Sequence, residues 1–198
     1  MNNKINMNNI KIVQYKWAGV WGPFKIKIPC GECAVTENII NDVIKNDFGF
    51  TDKIAFEVKE WLPNWWRLIL KGGWHAPIVT VNGKVVFQGQ AIDRGFLASE
   101  IRKELVKFTE IPKVGAIIYS KEDCKYCKLA KEIFVKNNIV YEERDIIKDP
   151  MRTAELFFLT KQFFPKNKPV TTPQIWIDGK YIGGAEDLQK IYVEKNTM

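Results

Sequence analysis

The sequence lacks the features that would direct it into a membrane or through one. No apolar run approaches the ~20 residues that a helix needs to cross a bilayer, so we expect no membrane partner. The first residues, MNNKINMNNIKIV, are polar and rich in Asn, without the apolar stretch and small-residue cleavage site of a secretory signal. We therefore expect residues 1–9 to form a disordered tail and the protein to be cytoplasmic.

The sequence also lacks a block of charge of one sign. The formal net charge is +7 at pH 7, and the excess of Lys and Arg is spread over both halves of the chain. A basic arm or patch for nucleic acid would be concentrated, so the even distribution favours an ordinary solvated surface and no nucleic-acid partner. A positive field of this kind still favours anionic small molecules and thiolates.

Cysteine is scarce, and its four copies are all paired. Cys30 and Cys33 lie in IPCGECAVT, and Cys124 and Cys127 lie in YSKEDCKYCKLA, so every cysteine belongs to a C-x-x-C pair. In a chain without a recognisable export signal, this pattern favours catalytic or metal chemistry over a framework of structural disulfides.

A second repeated segment indicates that the two cysteine pairs belong to two copies of one architecture. PIVTVNGK begins at Pro77 and PQIWIDGK begins at Pro173, and both fit P-x-[VI]-x-[VI]-[ND]-G-K. The prolines are 96 residues apart (77 to 173) and the first cysteines are 94 apart (30 to 124). Because two landmarks recur at matched separations, the self-similarity predicts two domains of the same fold.

Hydrophobic periodicity predicts the order β-α-β-α-β-β-α in each copy, which is an α/β class with four strands per domain. The dipeptides Asn82-Gly83 and Asp178-Gly179 are strong hairpin signals. Asp93 is expected to cap the last helix of the first copy. We assign the domains to residues 10–109 and 110–198, with TEIPKVG as the linker between them.

Each cysteine pair is predicted to begin a helix immediately after a strand. The N-terminus of a helix carries partial positive charge and unpaired N–H groups that favour a thiolate, and C-x-x-C cysteines placed there have a pKa lowered to ~3.5–7.5. We therefore assign Cys30 and Cys124 as the nucleophiles. Cys33 and Cys127, about one turn later, are assigned to resolve the mixed disulfide.

The two repeated prolines are candidates for substrate binding. A cis bond at Ala76-Pro77 and at Thr172-Pro173 would be a tight-turn feature that presents a backbone edge beside the thiols, where a peptide or glutathionyl group could pair. The matched spacing of the two prolines from their cysteines favours this form over an ordinary trans proline at the start of a strand.

From about Val114 to the C-terminus, the sequence resembles the glutaredoxin family through YSKEDCKYC, VTTPQIWIDGKYIGG and the following AEDL. The resemblance implies a thioredoxin fold, in which a four-stranded mixed sheet is flanked by helices, and glutathione-linked reduction of disulfides. It also implies glutathione contacts at five residues next to the proline and cysteine motifs: Lys121, Tyr126, Thr172, Gly184 and Asp187. One departure is Lys125, which follows the first cysteine where the family usually has proline.

The first half is similar, more distantly, to thioredoxin-like redox domains. It keeps CGEC and the proline hairpin but carries WAGVWGPFKIKIP between its first strand and Cys30. It has FQGQAID where the second half has its Gly-Gly segment, so no glutathione contacts are assigned to it. Two such domains in tandem resemble the protein-disulfide oxidoreductases of prokaryotes.

The charges near the cysteines predict a difference in reduction potential between the two pairs. Glu32 lies within CGEC, whereas three lysines surround CKYC, namely Lys121, Lys125 and Lys128. A nearby anion raises the pKa of a thiol and nearby cations lower it. Because stabilising the reduced thiolate makes a disulfide more oxidising, we expect CKYC to have the higher potential and to accept electrons from CGEC.

These observations lead to one functional interpretation and leave two others open. The interpretation is a thiol–disulfide oxidoreductase that exchanges electrons between its two dithiols, glutathione as co-substrate and disulfide-bearing proteins, with no permanently bound cofactor. The main alternative is a carrier of metal or of an iron–sulfur cluster held by the thiolates, although two zinc knuckles usually lie ~15–20 residues apart. In the other alternative, the first domain only binds partners and the second alone turns over.

Overall fold

The structure is a computed structural model, and it describes residues 10–21, 23–27, 29–49, 52–164 and 168–195. The predicted tail, residues 1–9, lies outside the described residues. The chain divides into two compact units between Leu105 and Val106, a few residues before the predicted boundary at 109/110. We retain the limits 10–109 and 110–198 as a proposal. Among the described residues, no helix combines the length and the apolar character needed to span a bilayer.

The first unit is built on a four-stranded mixed sheet flanked by helices. Its described strands are β1 (Ile10–Lys16), β2 (Ala18–Trp21), β3 (Phe24–Lys27), β4 (Ile54–Glu60), β5 (Ile78–Val81) and β6 (Lys84–Gln88), and its α-helices are α1 (Gly31–Asn46), α2 (Trp65–Ile69) and α3 (Arg94–Leu105). The sheet order is β4-β1-β5-β6. β1 and β4 are parallel, and the other two pairs are antiparallel.

The second unit repeats this topology. Its described elements are β7 (Ala116–Ser120), α4 (Lys125–Lys136), β8 (Tyr141–Asp145), α5 (Pro150–Thr160), β9 (Gln174–Ile177), β10 (Lys180–Gly183) and α6 (Ala185–Lys195). The sheet order is β10-β9-β7-β8, with β7 and β8 parallel and the remaining pairs antiparallel. The predicted α/β class with two tandem thioredoxin folds is therefore confirmed.

The segment WAGVWGPFKIKIP, which the sequence analysis treats as an insertion, contains the two strands β2 and β3. They pair with each other as an antiparallel ribbon from Ala18 opposite Lys27 to Trp21 opposite Phe24. Gly19 has a φ of +135°, and a Cβ atom there would lie 2.5 Å from the Cδ of Pro63. Only glycine fits this close approach, which lets the ribbon pack directly against the segment that follows β4.

Both predicted hairpins are present with the turn geometry that their residues favour. The φ angles are 50° and 78° at Asn82 and Gly83, and 49° and 77° at Asp178 and Gly179. Two successive residues with positive φ are the mark of a type I′ turn, for which Asn-Gly and Asp-Gly are the preferred sequences. The predicted cap is also present, because the Oδ1 of Asp93 accepts a hydrogen bond of 2.7 Å from the backbone N–H of Phe96.

Each sheet has an apolar core on both faces. In the first unit, Ile10 and Ile12 of β1 pack with residues of α1 and α3, including Ile40 and Leu97. The second unit has an equivalent core in which β7 packs with α4 and α6, through Ile118, Phe134 and Leu188 among others. Strand β1 and strand β7 are thus buried under the helices that begin at the cysteine pairs.

Candidate active site

The first cysteine of each pair caps the helix that follows it. Cys124 precedes α4 with an extended backbone, and its Sγ accepts a hydrogen bond of 3.1 Å from the backbone N–H of Cys127. Cys30 has the same arrangement before α1, with 3.2 Å from the N–H of Cys33 to its Sγ. The unpaired N–H groups and the partial positive charge of a helix N-terminus therefore act on the sulfur in both units.

The structure holds both pairs as disulfides, Cys30–Cys33 and Cys124–Cys127, with Cα atoms 5.2 Å apart in each. Cys33 and Cys127 are almost fully buried, at 2% and 1% exposure. Cys30 is half-buried. Cys124 is only 6% exposed, but it lines two surface cavities, so an incoming sulfur can reach it. The more accessible sulfur of each pair is thus the one assigned as nucleophile.

A cavity of about 880 Å³ lies beside Cys124. It brings together all six residues of the second half that the sequence analysis assigns to substrate binding: Lys121, Tyr126, Thr172, Pro173, Gly184 and Asp187. Its wall also includes residues that the sequence analysis did not assign, namely Lys125, Ile146, Ile147, Phe164, Val170 and Tyr181. The apolar members of this group come from the loops after β8 and before β9, which contain no recognisable motif.

The loop before β9 approaches the sulfur of Cys124. The Thr172-Pro173 bond is cis, as the matched spacing predicts. The carbonyl oxygen of Thr172 lies 3.6 Å from the Sγ of Cys124, and its hydroxyl Oγ1 lies 3.8 Å from the same atom. A backbone edge and one hydroxyl donor therefore face the reactive sulfur.

Asp187 also lines the cavity, and it stabilises the start of α6. Its Oδ2 accepts a hydrogen bond of 3.1 Å from the backbone N–H of Gly184, and its Oδ1 lies 3.7 Å from the Nζ of Lys190. Gly183 has a φ of +110°, and a Cβ atom there would lie 2.5 Å from Oδ2. Glycine at this position therefore lets the carboxylate approach the backbone at the cavity edge.

A second cleft, of about 550 Å³, reaches the Cys124–Cys127 disulfide between charged side chains. Lys131 and Lys148 in its wall are paired with Glu143 and Glu122. Within the described part of the chain, Lys121 and Lys128 have no such ion pair. These two lysines line the cleft together with Glu122 and Asp123, and a cation near the sulfur would favour a thiolate.

The Cys30–Cys33 disulfide lines a separate cavity of about 650 Å³, together with Lys16, Trp17, Ala18 and Glu37. The Oε2 of Glu32 lies 4.0 Å from the Sγ of Cys30, so this sulfur has a carboxylate as its close neighbour. Glu37 in the same wall is neutralised by Lys16 at 2.8 Å. Cys30 thus has a carboxylate at 4.0 Å from its sulfur, whereas lysines and carboxylates both line the cleft at Cys124.

Pro77 is the one predicted binding residue that the structure does not bring into a cavity wall at its cysteine pair. The Ala76-Pro77 bond is cis, as predicted. However, Pro77 is buried and is not among the residues that line the cavity at Cys30. Its carbonyl oxygen accepts a hydrogen bond of 3.0 Å from the N–H of Gly89 in the adjacent segment. Its role in binding stays a prediction.

A buried ionic network, which the sequence analysis did not predict, supports the second unit behind CKYC. The Nη1 of Arg144 donates to the hydroxyl of Tyr119 at 2.8 Å, and that hydroxyl lies 3.2 Å from the Oε2 of Glu155. Arg152 donates to both carboxylate oxygens of Glu155. Burial raises the pKa of Tyr119 to about 12. The network joins β7, β8 and α5, and the only sequence signal for it is the run EERD in a strand.

The described ranges contain no group of three or more His, Cys, Asp or Glu side chains arranged to hold a metal ion. The arrangement that they do contain is a disulfide at a helix N-terminus, with a buried partner sulfur and an adjoining cavity. Such a dithiol can accept or release two electrons by exchange with another disulfide.

Comparison with known proteins matches residues 116–182 to the Glutaredoxin family. Glutaredoxin 1 of Rickettsia typhi is 39% identical over 72 residues, which are 36% of this chain and 64% of that protein. Glutaredoxin 1 of Rickettsia prowazekii is 38% identical over 72 residues, covering 36% of this chain and 70% of that protein. The buckwheat glutaredoxin–glutathione complex superposes on 50% of this chain and 82% of its own, with 21% identity and a TM-score of 0.37. The chain thus spans about two thirds of the two bacterial relatives.

Proposed function

The chain belongs to the glutaredoxin family, and on that premise we propose that it is a glutathione-linked thiol–disulfide oxidoreductase. The observation that carries the proposal is the cavity at Cys124. It combines a sulfur capping a helix with the six residues that the family resemblance assigns to glutathione and substrate. A binding site for a small thiol and a nucleophile that can exchange with it are therefore adjacent.

In the proposed reaction, the thiolate of Cys124 attacks one sulfur of a substrate disulfide and displaces the other sulfur as a thiolate, which gains a proton. Cys127 then attacks the Sγ of Cys124, releases the second substrate thiol and leaves the Cys124–Cys127 disulfide. One glutathione thiolate opens that disulfide at Cys124, and a second attacks the mixed disulfide and leaves as oxidised glutathione. Two electrons thus pass from two glutathione molecules to the substrate.

Each proposed contact with glutathione has a physical basis in the cavity. Lys121 offers a cation to a carboxylate of the tripeptide, and the Thr172 backbone next to Pro173 offers hydrogen bonds to its cysteinyl unit. The carboxylate of Asp187 offers an anion to the amino group of glutathione. Its Oδ1 lies near the exposed Lys190, and its Oδ2 accepts a hydrogen bond from the N–H of Gly184. Tyr126, half exposed beside the sulfur, offers an aromatic surface.

The proposal gives the first domain a complementary role. Cys30 attacks and Cys33 resolves, and Pro77 contributes to binding, without glutathione contacts. The carboxylate of Glu32 at 4.0 Å from the Sγ of Cys30 disfavours the thiolate there. This supports the expectation that CKYC has the higher potential and accepts electrons from CGEC within the chain.

The proposed partners are glutathione and proteins that carry disulfides, and no permanent cofactor is required since the cysteines themselves hold the electrons. We propose a cytoplasmic location, where a glutathione pool keeps dithiols exchanging. No observation favours the alternative of a metal or iron–sulfur carrier, so it is not proposed.

The test is to trap the mixed disulfide. A full-length chain with Cys30→Ser, Cys33→Ser and Cys127→Ser retains Cys124 as its only thiol. When it is treated with oxidised glutathione, we expect mass spectrometry to find one glutathionyl group on Cys124, formed faster than on a free cysteine peptide. The matched chain that keeps Cys127 in place of Cys124 should react far more slowly. Equal or absent reaction at Cys124 would contradict the proposal.

A further inference from the structure

A glutamine lies in the apolar core beneath CGEC. Gln14 is on β1, on the same face as Ile10 and Ile12, and it is fully buried. Its Oε1 is one of two buried side-chain polar atoms in the described residues that have no hydrogen-bond partner, the other being the Nε1 of Trp61. Buried polar groups in folded proteins are normally paired, so this oxygen requires an explanation.

The other end of the same amide is bonded to the redox pair. The Nε2 of Gln14 donates a hydrogen bond of 2.6 Å to the carbonyl oxygen of Cys33. This bond fixes which way the amide points, because turning it over would set Oε1 against the Cys33 carbonyl, and two acceptors repel each other. Oε1, the oxygen of the amide that contacts Cys33, therefore has no donor from which to accept a hydrogen bond.

The disulfide leaves Cys33 without a thiol that could serve as a donor. The structure holds Cys33 in a disulfide, which carries no S–H. Reduction would create a thiol at Cys33, and since Cys33 is only 2% exposed, that S–H would have little access to water. A buried donor and an unpaired buried acceptor would then exist on two residues that are already in contact.

We propose that Gln14 is a positioning residue whose Oε1 accepts a hydrogen bond from the Cys33 thiol in the reduced state only. The bond stabilises the dithiol relative to the disulfide. Gln14 therefore raises the reduction potential of CGEC and makes its disulfide a stronger oxidant. Its effect opposes that of Glu32 and narrows the difference in potential between the two pairs. The proposal rests on the proposed function only in that CGEC must cycle between dithiol and disulfide.

At the position equivalent to Gln14, the second unit has an apolar residue. Gln14 faces Val79 across the sheet and Ile118 faces Ile175, and each of these partners stands two residues after the cis proline of its unit. Ile118 therefore occupies the equivalent place beneath CKYC, and it is a fully buried apolar residue. CKYC is thus an internal control, because the side chain of Ile118 has no atom that can accept a hydrogen bond from a thiol.

The first test is an equilibrium with glutathione. In it, the two thiols of CGEC give two electrons and two protons to one oxidised glutathione, which leaves as two GSH while the Cys30–Cys33 bond forms. Full-length chains with Cys124→Ser and Cys127→Ser are equilibrated in glutathione buffers, with and without Gln14→Leu, and their free thiols are counted after alkylation. We expect Gln14→Leu to favour the disulfide by about tenfold, equal to a potential about 30 mV lower.

The same substitution in a chain with Cys30→Ser and Cys33→Ser should leave the CKYC equilibrium unchanged. The role of Gln14 would be overturned if Gln14→Leu changed the equilibrium constant between CGEC and glutathione by less than about twofold. It would also be overturned if the equilibrium constant of CKYC changed by the same factor as that of CGEC. If CGEC forms no disulfide in any buffer, the proposed function of that pair fails, and the second measurement still decides the role of Gln14.

The second measurement needs no substitution of Gln14. A full-length chain with Cys30→Ser, Cys124→Ser and Cys127→Ser has Cys33 as its only thiol. We expect the infrared S–H stretch of Cys33 to lie below that of an unbonded thiol, as it does when the S–H donates a hydrogen bond. Gln14→Leu should return it toward the unbonded frequency. A stretch at the unbonded frequency with Gln14 present would contradict the proposal.

Discussion

The hydroxyl of Thr172 lies 3.8 Å from the Sγ of Cys124, the sulfur that caps α4. When Cys124 is a thiolate, this hydroxyl can donate to it in addition to the backbone N–H of Cys127. The residue before the cis proline in the first unit is Ala76, which has no hydroxyl to offer. The two nucleophiles thus differ in the number of donors, and only Cys30 has the Glu32 carboxylate at 4.0 Å.

Replacing Thr172 by Val removes that donor and keeps the side-chain shape. Since hydrogen bonds to the charged form lower a thiol pKa, we expect the midpoint pH for alkylation of Cys124 to rise by roughly half to one unit. The measurement is the pH dependence of iodoacetamide labelling in a chain with Cys30→Ser and Cys33→Ser. Thr171→Val is the control, because the Thr171 hydroxyl is 3.4 Å from Gln174. A midpoint that moves equally in both variants would contradict this role of Thr172.

Replacing Glu32 by Gln removes the carboxylate 4.0 Å from the Sγ of Cys30. We expect the midpoint pH for alkylation of Cys30 to fall by roughly 0.5 to 1 unit, the size of a Coulomb interaction between solvated charges at that distance. The same labelling is done in a chain with Cys124→Ser and Cys127→Ser. Glu37→Gln is the matched control, because the Glu37 carboxylate is already paired with Lys16. An unchanged midpoint in Glu32→Gln would remove the electrostatic basis for the proposed direction of electron flow.

The buried network predicts a large difference between two substitutions of cations. Arg144→Met leaves Glu155 buried with Arg152 as its remaining cation, so we expect the free energy of unfolding of the second unit to fall by roughly 2–3 kcal/mol. Lys131→Met breaks a partly exposed pair with Glu143, for which less than about 1 kcal/mol is expected. Urea denaturation monitored at Trp176 measures both. Equal losses of unfolding free energy in the two variants would contradict a stabilising role for the buried network.

The raised pKa of Tyr119 predicts a loss of stability at alkaline pH. Burial raises this pKa to about 12 in the folded state, against about 10 when the chain is unfolded. Below pH 10, the residue is neutral in both states and contributes no pH dependence. Between pH 10 and 12 only the unfolded state ionises, so the free energy of unfolding falls by on the order of 2 kcal/mol. Tyr119→Phe should lack this part of the decline in denaturation curves; a parallel decline would contradict the assignment.

Much of the fold could be predicted because the deciding signals are local and occur twice. The Asn82-Gly83 and Asp178-Gly179 pairs favour one turn type, and the turns have the positive φ angles that this type requires. The cysteine pairs likewise mark the starts of α1 and α4 by themselves. These features depend on a few adjacent residues, so they can be identified without knowledge of tertiary packing.

The features that the sequence analysis missed depend on contacts between distant residues. The ribbon β2–β3 packs against Pro63 at Gly19, and the partners of Arg144 lie on β7 and α5. The role of Gln14 follows only from its contact with Cys33, 19 residues away. The sequence signal for it is one glutamine after the apolar pair Ile12 and Val13, and alternation alone does not distinguish a buried glutamine from a solvent-facing one.

The most direct test of the account is the order in which the four thiols react. The fully reduced wild-type chain is labelled briefly with iodoacetamide at mildly acidic pH, and the labelled peptides are quantified by mass spectrometry. We predict that Cys124 is labelled first and Cys30 second, both faster than a free cysteine peptide, while Cys33 and Cys127 stay unlabelled. Labelling of Cys30 and Cys124 no faster than the free peptide would contradict the claim that sulfurs capping these helices are active thiolates.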